Sequence, residues 1–199
     1  MGFSTMLDII GSIIIGGILM MITWRLSDAA TAKTYNNSGE LSLQQNLATV
    51  AQILEHDFRK IGYCSDWTKF PDPSKAILYA DTSEILYVTD LDLDDNMDSI
   101  RYYLGPASEL SGTPNPRDKV LYRVENNEIP KPSNLGVTRF NLVYFDASGD
   151  VIPSPVALPG LIASMEINVS VESVAAYDTA YSSAFWRQIR LVARNLRNR

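Results

Sequence analysis

The chain has 199 residues, 46% of them hydrophobic and 20% charged, which is enough for one sizeable domain plus an accessory segment but not for two full domains. Its formal net charge of −6, from 23 Asp and Glu against 17 Lys and Arg, argues against nucleic acid as a partner, since that affinity comes largely from clustered cations facing phosphates. The single cysteine, Cys64, cannot close an internal disulfide, which excludes a small disulfide-stapled scaffold.

Between Phe3 and Trp24 the only charged residue is Asp8, and IIGSIIIGGILMMITW (9–24) carries none. As a helix rising about 1.5 Å per residue, this stretch reaches roughly 33 Å, enough for a hydrocarbon core of about 30 Å. It is apolar all round, as a helix in lipid or inside a bundle must be. Trp24 and Arg25 fall where an interfacial anchor is expected. Three readings compete. A cleaved secretory signal calls for a basic n-region, and residues 1–8 contain no Lys or Arg. A plain single-pass anchor has no need of Asp8, which costs about 2.5–3.5 kcal/mol at a helix centre and less near an end. A helix that leaves the bilayer and packs among copies of itself does use Asp8, placing the carboxylate near a neighbour's N-terminal amine. The third reading is preferred because it accounts for the charge. Gly11, Gly16 and Gly17 either allow close helix approach and local melting, or are ordinary membrane glycines.

A polar bridge follows, in which Asn36-Asn37-Ser38-Gly39 reads as a break or bend. Helical periodicity then returns: Leu43, Leu47, Val50, Leu54, Phe58 and Ile61 form one apolar stripe, with Gly62 as the stop. The spacing predicts an amphipathic helix over 40–62. Beyond it, runs of β-branched and aromatic residues separated by turn signals predict strands at 84–89, 99–104, 119–124, 137–146 and 161–173. Met165, Ile167, Val169 and Val171 alternate with Glu166, Asn168, Ser170 and Glu172, giving one buried and one wet face of an antiparallel sheet. Asn126-Asn127 and Ala147-Ser148-Gly149-Asp150 read as turns. The expected fold class is α+β, helices segregated to one face of an antiparallel sheet. The expected segments are a hydrophobic helix at 1–28, an amphipathic helix at 29–62 and a β-rich head at 63–199.

Four segments in order carry a resemblance. GFSTMLDIIGSIII resembles the start of type IV pilin-like subunits, where a Gly-Phe junction opens a hydrophobic helix with an early acidic residue. LEHDFRKIGY is similar to the end of the long helix in minor pseudopilins and minor pilins of the J or W type. VTRFNLVYFDASGD resembles a strand and turn of that family, and FWRQIRLVARNL its final strand. The resemblance implies a pilin-like fold and a structural, non-enzymatic subunit. Its partners would be copies of itself or other pilin-like subunits, with Gly2, Phe3, Asp8, Gly16 and Gly17 serving assembly. It also implies a single-pass residence in the inner membrane, head outside the cytoplasm, before incorporation into a filament. The family usually has a basic leader cut between Gly and Phe, whereas only Met1 precedes Gly2 here, and Asp8 lies further from the junction than the family's acidic residue. The expectation is either a processed sequence or a branch that assembles without that peptidase. The alternative is a membrane-tethered binding domain that never polymerises.

Other candidates for chemistry are few. His56, between Glu55 and Asp57, reads as a surface histidine, and Cys64 as a structural thiol. Asp90, Asp92, Asp94, Asn96 and Asp98 lie in a run (81–98) of seven acids without a base, which reads as a solvated loop. Closely spaced Asp and Asn oxygens are also what Ca²⁺ takes, and the resemblance to calcium-stabilised minor pseudopilins points the same way. The EF-hand pattern fails, with Asp95 in the glycine position and Arg101 in place of the bidentate Glu. Arg187, Arg190, Arg194, Arg197 and Arg199 form a basic end without an acid, a contact patch for lipid headgroups or a neighbour's acidic loop, or simply a solubilising terminus. No nucleophile–base constellation is visible, so no enzyme is expected.

Overall fold

The computed structural model describes residues 2–173 and 183–191. The chain divides into two compact units, Met1–Glu40 and Leu41–Arg199. Helix α1 (Gly2–Arg59) passes through both. It is uninterrupted at Asn36–Gly39, where the sequence predicts a break. No proline falls within it. Asn, Ser and Gly each give up only about 0.5–1 kcal/mol relative to Ala, whereas a break would open two further sets of unpaired backbone groups.

In the first unit all fourteen large apolar side chains from Phe3 to Trp24 are exposed, from 52% at Ile18 to 80% at Phe3. This is a helix long and apolar enough, by length and composition, to cross a membrane.

The second unit is α+β. Strands β1 (Ile77–Ala80), β2 (Glu84–Thr89), β3 (Asp98–Leu104), β4 (Lys119–Glu125), β5 (Lys131–Phe145), β7 (Ser164–Glu172) and β8 (Ser183–Leu191) lie side by side in that order. The short β6 (Val151–Ile152) pairs with the end of β5. Every pairing is antiparallel. The predicted helical stripe is the one that docks: Leu43, Val50, Leu54, Phe58 and Ile61 are buried, and Leu47 is half-buried against them. They meet Ile85, Tyr87, Ile100, Tyr102, Phe140 and Leu142, whose period-2 spacing turns them to the same face of the sheet. Phe58 stands edge-on to three rings, with centroids 5.7 Å from Tyr87, 5.5 Å from Tyr102 and 6.5 Å from Phe140.

α1 ends at Arg59. Gly62 then takes φ = 71°, a left-handed conformation that favours glycine, and its N–H donates to the Val88 carbonyl on β2. The five predicted strands are present. β5 begins earlier than the predicted 137, at Lys131, despite Pro132 and Gly136. Its first six residues pair only with β4, because β7 joins at Val137, so the missing N–H of Pro132 interrupts no ladder on that side. Gly136 (φ = 72°) runs so close to β7 that a Cβ would lie 2.5 Å from the Glu172 carbonyl oxygen. Asn126 (φ = 45°) and Asn127 (φ = 62°) form the predicted turn, closed by Glu128 N–H to the Glu125 carbonyl at 2.7 Å.

Phe58→Ala is expected to destabilise the second unit by about 3–5 kcal/mol, since it removes a fully buried ring and three edge contacts. Denaturant unfolding of the full chain in detergent micelles, followed by tyrosine fluorescence, measures it. A loss below about 1 kcal/mol would mean that Phe58 does not organise the core.

Candidate functional site

Three places combine chemistry with position: the apolar segment of α1, the ionic cluster at the end of α1, and the β2–β3 loop.

The apolar segment presents little polarity of its own. The hydroxyls of Ser12 and Thr23 donate to the carbonyls of Asp8 and Leu19, each at 2.7 Å, as Ser and Thr do in helices. A Cβ added at Gly2, Gly11, Gly16 or Gly17 would meet nothing within 4 Å. Asp8 and Phe3 are exposed.

At the other end of α1, Asp57 is 6% exposed among the apolar side chains of the docked face. Its Oδ2 accepts from the Tyr102 hydroxyl and from Nε of Arg123, both at 2.6 Å. Oδ1 lies 3.1 Å from Nδ1 of His56, whose side chain is 65% exposed. Arg123 also pairs with Glu125, and Glu125 with Lys131. The chain of alternating charges thus ties α1 to β3, β4 and the start of β5. Burial pushes the Asp57 carboxyl up, but hydrogen bonds from Tyr102, Arg123 and His56 outweigh it and hold the pKa below the ordinary range. The sequence reading treated this segment as a resemblance and passed over Asp57 itself. The available signal was its spacing: Asp57 is seven residues after Val50 and three after Leu54, on the buried stripe rather than beside it.

The β2–β3 loop brings three of its acids together. One carboxylate oxygen from each of Asp90, Asp92 and Asp98 lies within 4.8 Å of the others. Asp94 and Asn96, read as part of the same set, are outside this cluster and pair with each other, Asp94 accepting the Asn96 backbone and side-chain N–H groups at 2.8 and 2.9 Å. Asp98 accepts from Leu91 N–H at 3.0 Å and from the side-chain amide of Asn126 at 2.5 Å. Asp90 reaches back to the segment after α1: its N–H donates to the Tyr63 carbonyl, and its Oδ2 accepts the Ser65 N–H. Cys64, buried and unbridged, faces the Asp95 carbonyl.

Of the basic end, Arg187 is committed within the chain. It donates to Glu166 across the β7–β8 pair at 2.8 Å, and Asn168 donates to the other Glu166 oxygen. This covers Glu166, expected on the wet face but only 8% exposed. Arg190 lies in β8. Arg194, Arg197 and Arg199 lie outside the described residues.

Near the ends of β4 and β7, Asp118 is fully buried and neither carboxylate oxygen has a hydrogen-bond partner among the described residues. Burial raises its pKa, the neighbouring charge of Glu172 adds to this, and the Thr113 hydroxyl works the other way. A groove of about 640 Å³ on the sheet contains Lys119 and Arg139 but no carboxylate, histidine or cysteine in its lining. Compared with protein-family models, curated proteins and solved structures, the chain gives no match.

Two predictions follow from the buried carboxylates. The depressed pKa of Asp57 contributes stability that is complete above the ordinary carboxylate range, about pH 4, and is lost as pH falls through the lower folded-state value. Asp57→Asn should flatten that acid limb in urea melts between pH 2 and 6 and cost about 2–4 kcal/mol at neutral pH, the order of breaking a buried pair. The raised pKa of Asp118 has the opposite sign: its contribution is complete below the unfolded value and is lost as pH rises through the folded one. Asp118→Asn should therefore be more stable than the parent chain at pH 7, and their stabilities should converge on acidification. A variant less stable than the parent at pH 7 would contradict the unpaired burial.

Proposed function

We propose that this chain is a membrane-anchored structural subunit of a type IV pilin-like filament, with N-terminal helices shared in a filament core and β-rich heads on its surface. The observation that carries this reading is the exposure of every large apolar side chain from Phe3 to Trp24, on all sides of α1. At about 25 cal/mol per Å² such a surface drives the helix into lipid or against other helices. Lipid satisfies it before assembly, and neighbouring copies satisfy it afterwards.

Asp8 favours the filament within this reading. A carboxylate among apolar residues is costly in a hydrocarbon core and becomes favourable when a cation on a neighbouring copy meets it in a dry interface. Its pairing would set the axial register between subunits. Gly11, Gly16 and Gly17 put patches without side chains on the same segment, where other helices can approach closely. The four-segment resemblance to pilin-like subunits agrees with this order of parts. The role is structural rather than catalytic: Asp57, Arg123, Glu125 and Lys131 are consumed in one internal network.

The test is negative-stain electron microscopy of material sheared from cells, with mass spectrometry identifying this chain in it. Filaments containing the chain are expected, and Asp8→Ala should reduce their yield by about tenfold or more while leaving the amount in the membrane fraction unchanged. A chain that stays in the membrane as a monomer, with no filaments, would instead establish a tethered domain that does not polymerise.

A further inference from the structure

We propose that the sheet face turned away from α1 carries a binding groove for an acidic oligosaccharide, built on Lys119, Arg139, Asn141, Asn168 and Phe185. On β5, Phe140 and Leu142 enter the core while Arg139 and Asn141 lie on the other face. On β7, Ile167 and Val169 are buried where Asn168 and Ser170 are not, and on β8, Ala184 and Trp186 pack on the core while Phe185 is exposed. The pairing register sets these outward residues in rows. Arg139 stands opposite Ser170 and Ser170 opposite Phe185, with Asn141 opposite Asn168 beside them. Two strand spacings make the first row about 10 Å long, the length of two linked sugar rings. Lys119, Leu104, Thr82 and Ser83 complete the lining of the groove of about 640 Å³. A second hollow of about 590 Å³ shares Lys119, Thr138, Arg139, Ser170 and Phe185 with it, so the furrow is continuous.

Charge argues for an anion. The whole chain carries −6, yet Lys119 and Arg139 form no ion pair and no side-chain hydrogen bond among the described residues. The larger hollow has no carboxylate in its lining, and the one in the second, Glu172, is paired with Arg117 at 2.8 Å. Glu166, further along β7, is covered by Arg187 and Asn168. The nearby acids are thus neutralised and the two cations are not, which leaves a positive field on an otherwise acidic protein.

The other side chains select a saccharide. Phe185 is 64% exposed, and its open ring offers the negative π-face on which the C–H bonds of a sugar ring pack. The amides of Asn141 and Asn168 and the hydroxyls of Ser83 and Ser170 combine donors with acceptors, as a ligand dense in hydroxyls requires. An acidic peptide fits less well. An extended peptide binds a sheet by pairing its main chain with an open edge, whereas β7, the floor of the groove, is already paired on both sides by β5 and β8.

The full chain in detergent micelles is titrated by calorimetry with a galacturonic acid tetrasaccharide at about 50 mM NaCl. A sulfated tetrasaccharide, neutral maltotetraose and an oligo-aspartate peptide are run in parallel. The acidic sugars are expected to bind with dissociation constants of about 10⁻⁴–10⁻³ M, and the neutral one at least about tenfold more weakly. Lys119→Gln combined with Arg139→Gln should weaken the acidic sugars by about tenfold or more, with Tm unchanged because neither side chain has a partner to lose. Phe185→Ala should weaken them by about fivefold or more. Binding of neither acidic sugar at about 10 mM, or undiminished binding in the double variant, overturns the site. If the aspartate peptide binds as tightly as the sugars and Phe185→Ala changes nothing, the groove takes anions by charge alone and the assignment to saccharide falls. None of these outcomes depends on polymerisation.

Discussion

At the last turns of α1 a fully buried ring and a buried carboxylate occupy consecutive positions, and the sheet is arranged around both. Phe58 fills the space between Tyr87, Tyr102 and Phe140, on three different strands. Asp57 takes the Tyr102 hydroxyl and the Arg123 guanidinium, so the same tyrosine that supplies a ring to Phe58 supplies a donor to Asp57. Apolar burial fixes how deeply the helix sits, but such contacts are non-directional. The ionic pair adds direction: rotating α1 about its axis would leave a buried carboxylate without donors, at a cost of several kcal/mol. Removing either residue is thus a different perturbation, one to depth and one to register.

The segment after α1 extends this arrangement. Gly62 and Tyr63 bond to Val88 and Asp90 at the end of β2, so the chain leaving the helix is fastened to the strand on which the ring of Tyr87 sits. The acidic loop begins at that fastening. Its geometry therefore depends on the helix being docked. Contacts distant in sequence hold Asp90 in its buried position: its Oδ2 accepts the N–H of Ser65 and its own N–H donates to the Tyr63 carbonyl.

Much of this was legible in the sequence. The docked stripe, the left-handed glycine, the Asn-Asn turn and the five longer strands all follow from periodicity and turn chemistry. What escaped has identifiable causes. β1 has four residues and a shifted register against β2, too short and irregular for a period-2 signal. β6 has two residues. The first half of β5 was hidden by Pro132 and Gly136, which read as breakers in a central strand but are permitted where only one neighbour is present. β8 was suggested only by the resemblance, its apolar residues mixing with Arg187, Gln188 and Arg190. At the sites, local spacing located the acidic run but could not tell which acids converge. That depends on the long-range anchors from Ser65 and Asn126, 25 and 28 residues away from Asp90 and Asp98.

Asp57 and Asp8 pose the same physical problem at opposite ends of one helix. Each is an acid set among apolar residues. Asp57 is solved within the chain, by a tyrosine, an arginine and a histidine. Asp8 lies on an exposed helix surface, and no ion pair to its side chain occurs among the described residues. In water that needs no remedy, because solvent satisfies the carboxylate. The surrounding surface, however, is one that water does not hold: Leu7, Ile9 and Ile10 beside it are each more than half exposed. Whatever covers those side chains also desolvates Asp8, and the penalty then rises unless the covering body brings a cation. Lipid headgroups do so only at the interface, whereas another protein chain can do so at a fixed position. On the proposed reading, the lone acid makes the helix selective as well as adhesive, since apolar surface alone would accept any neighbour at any height.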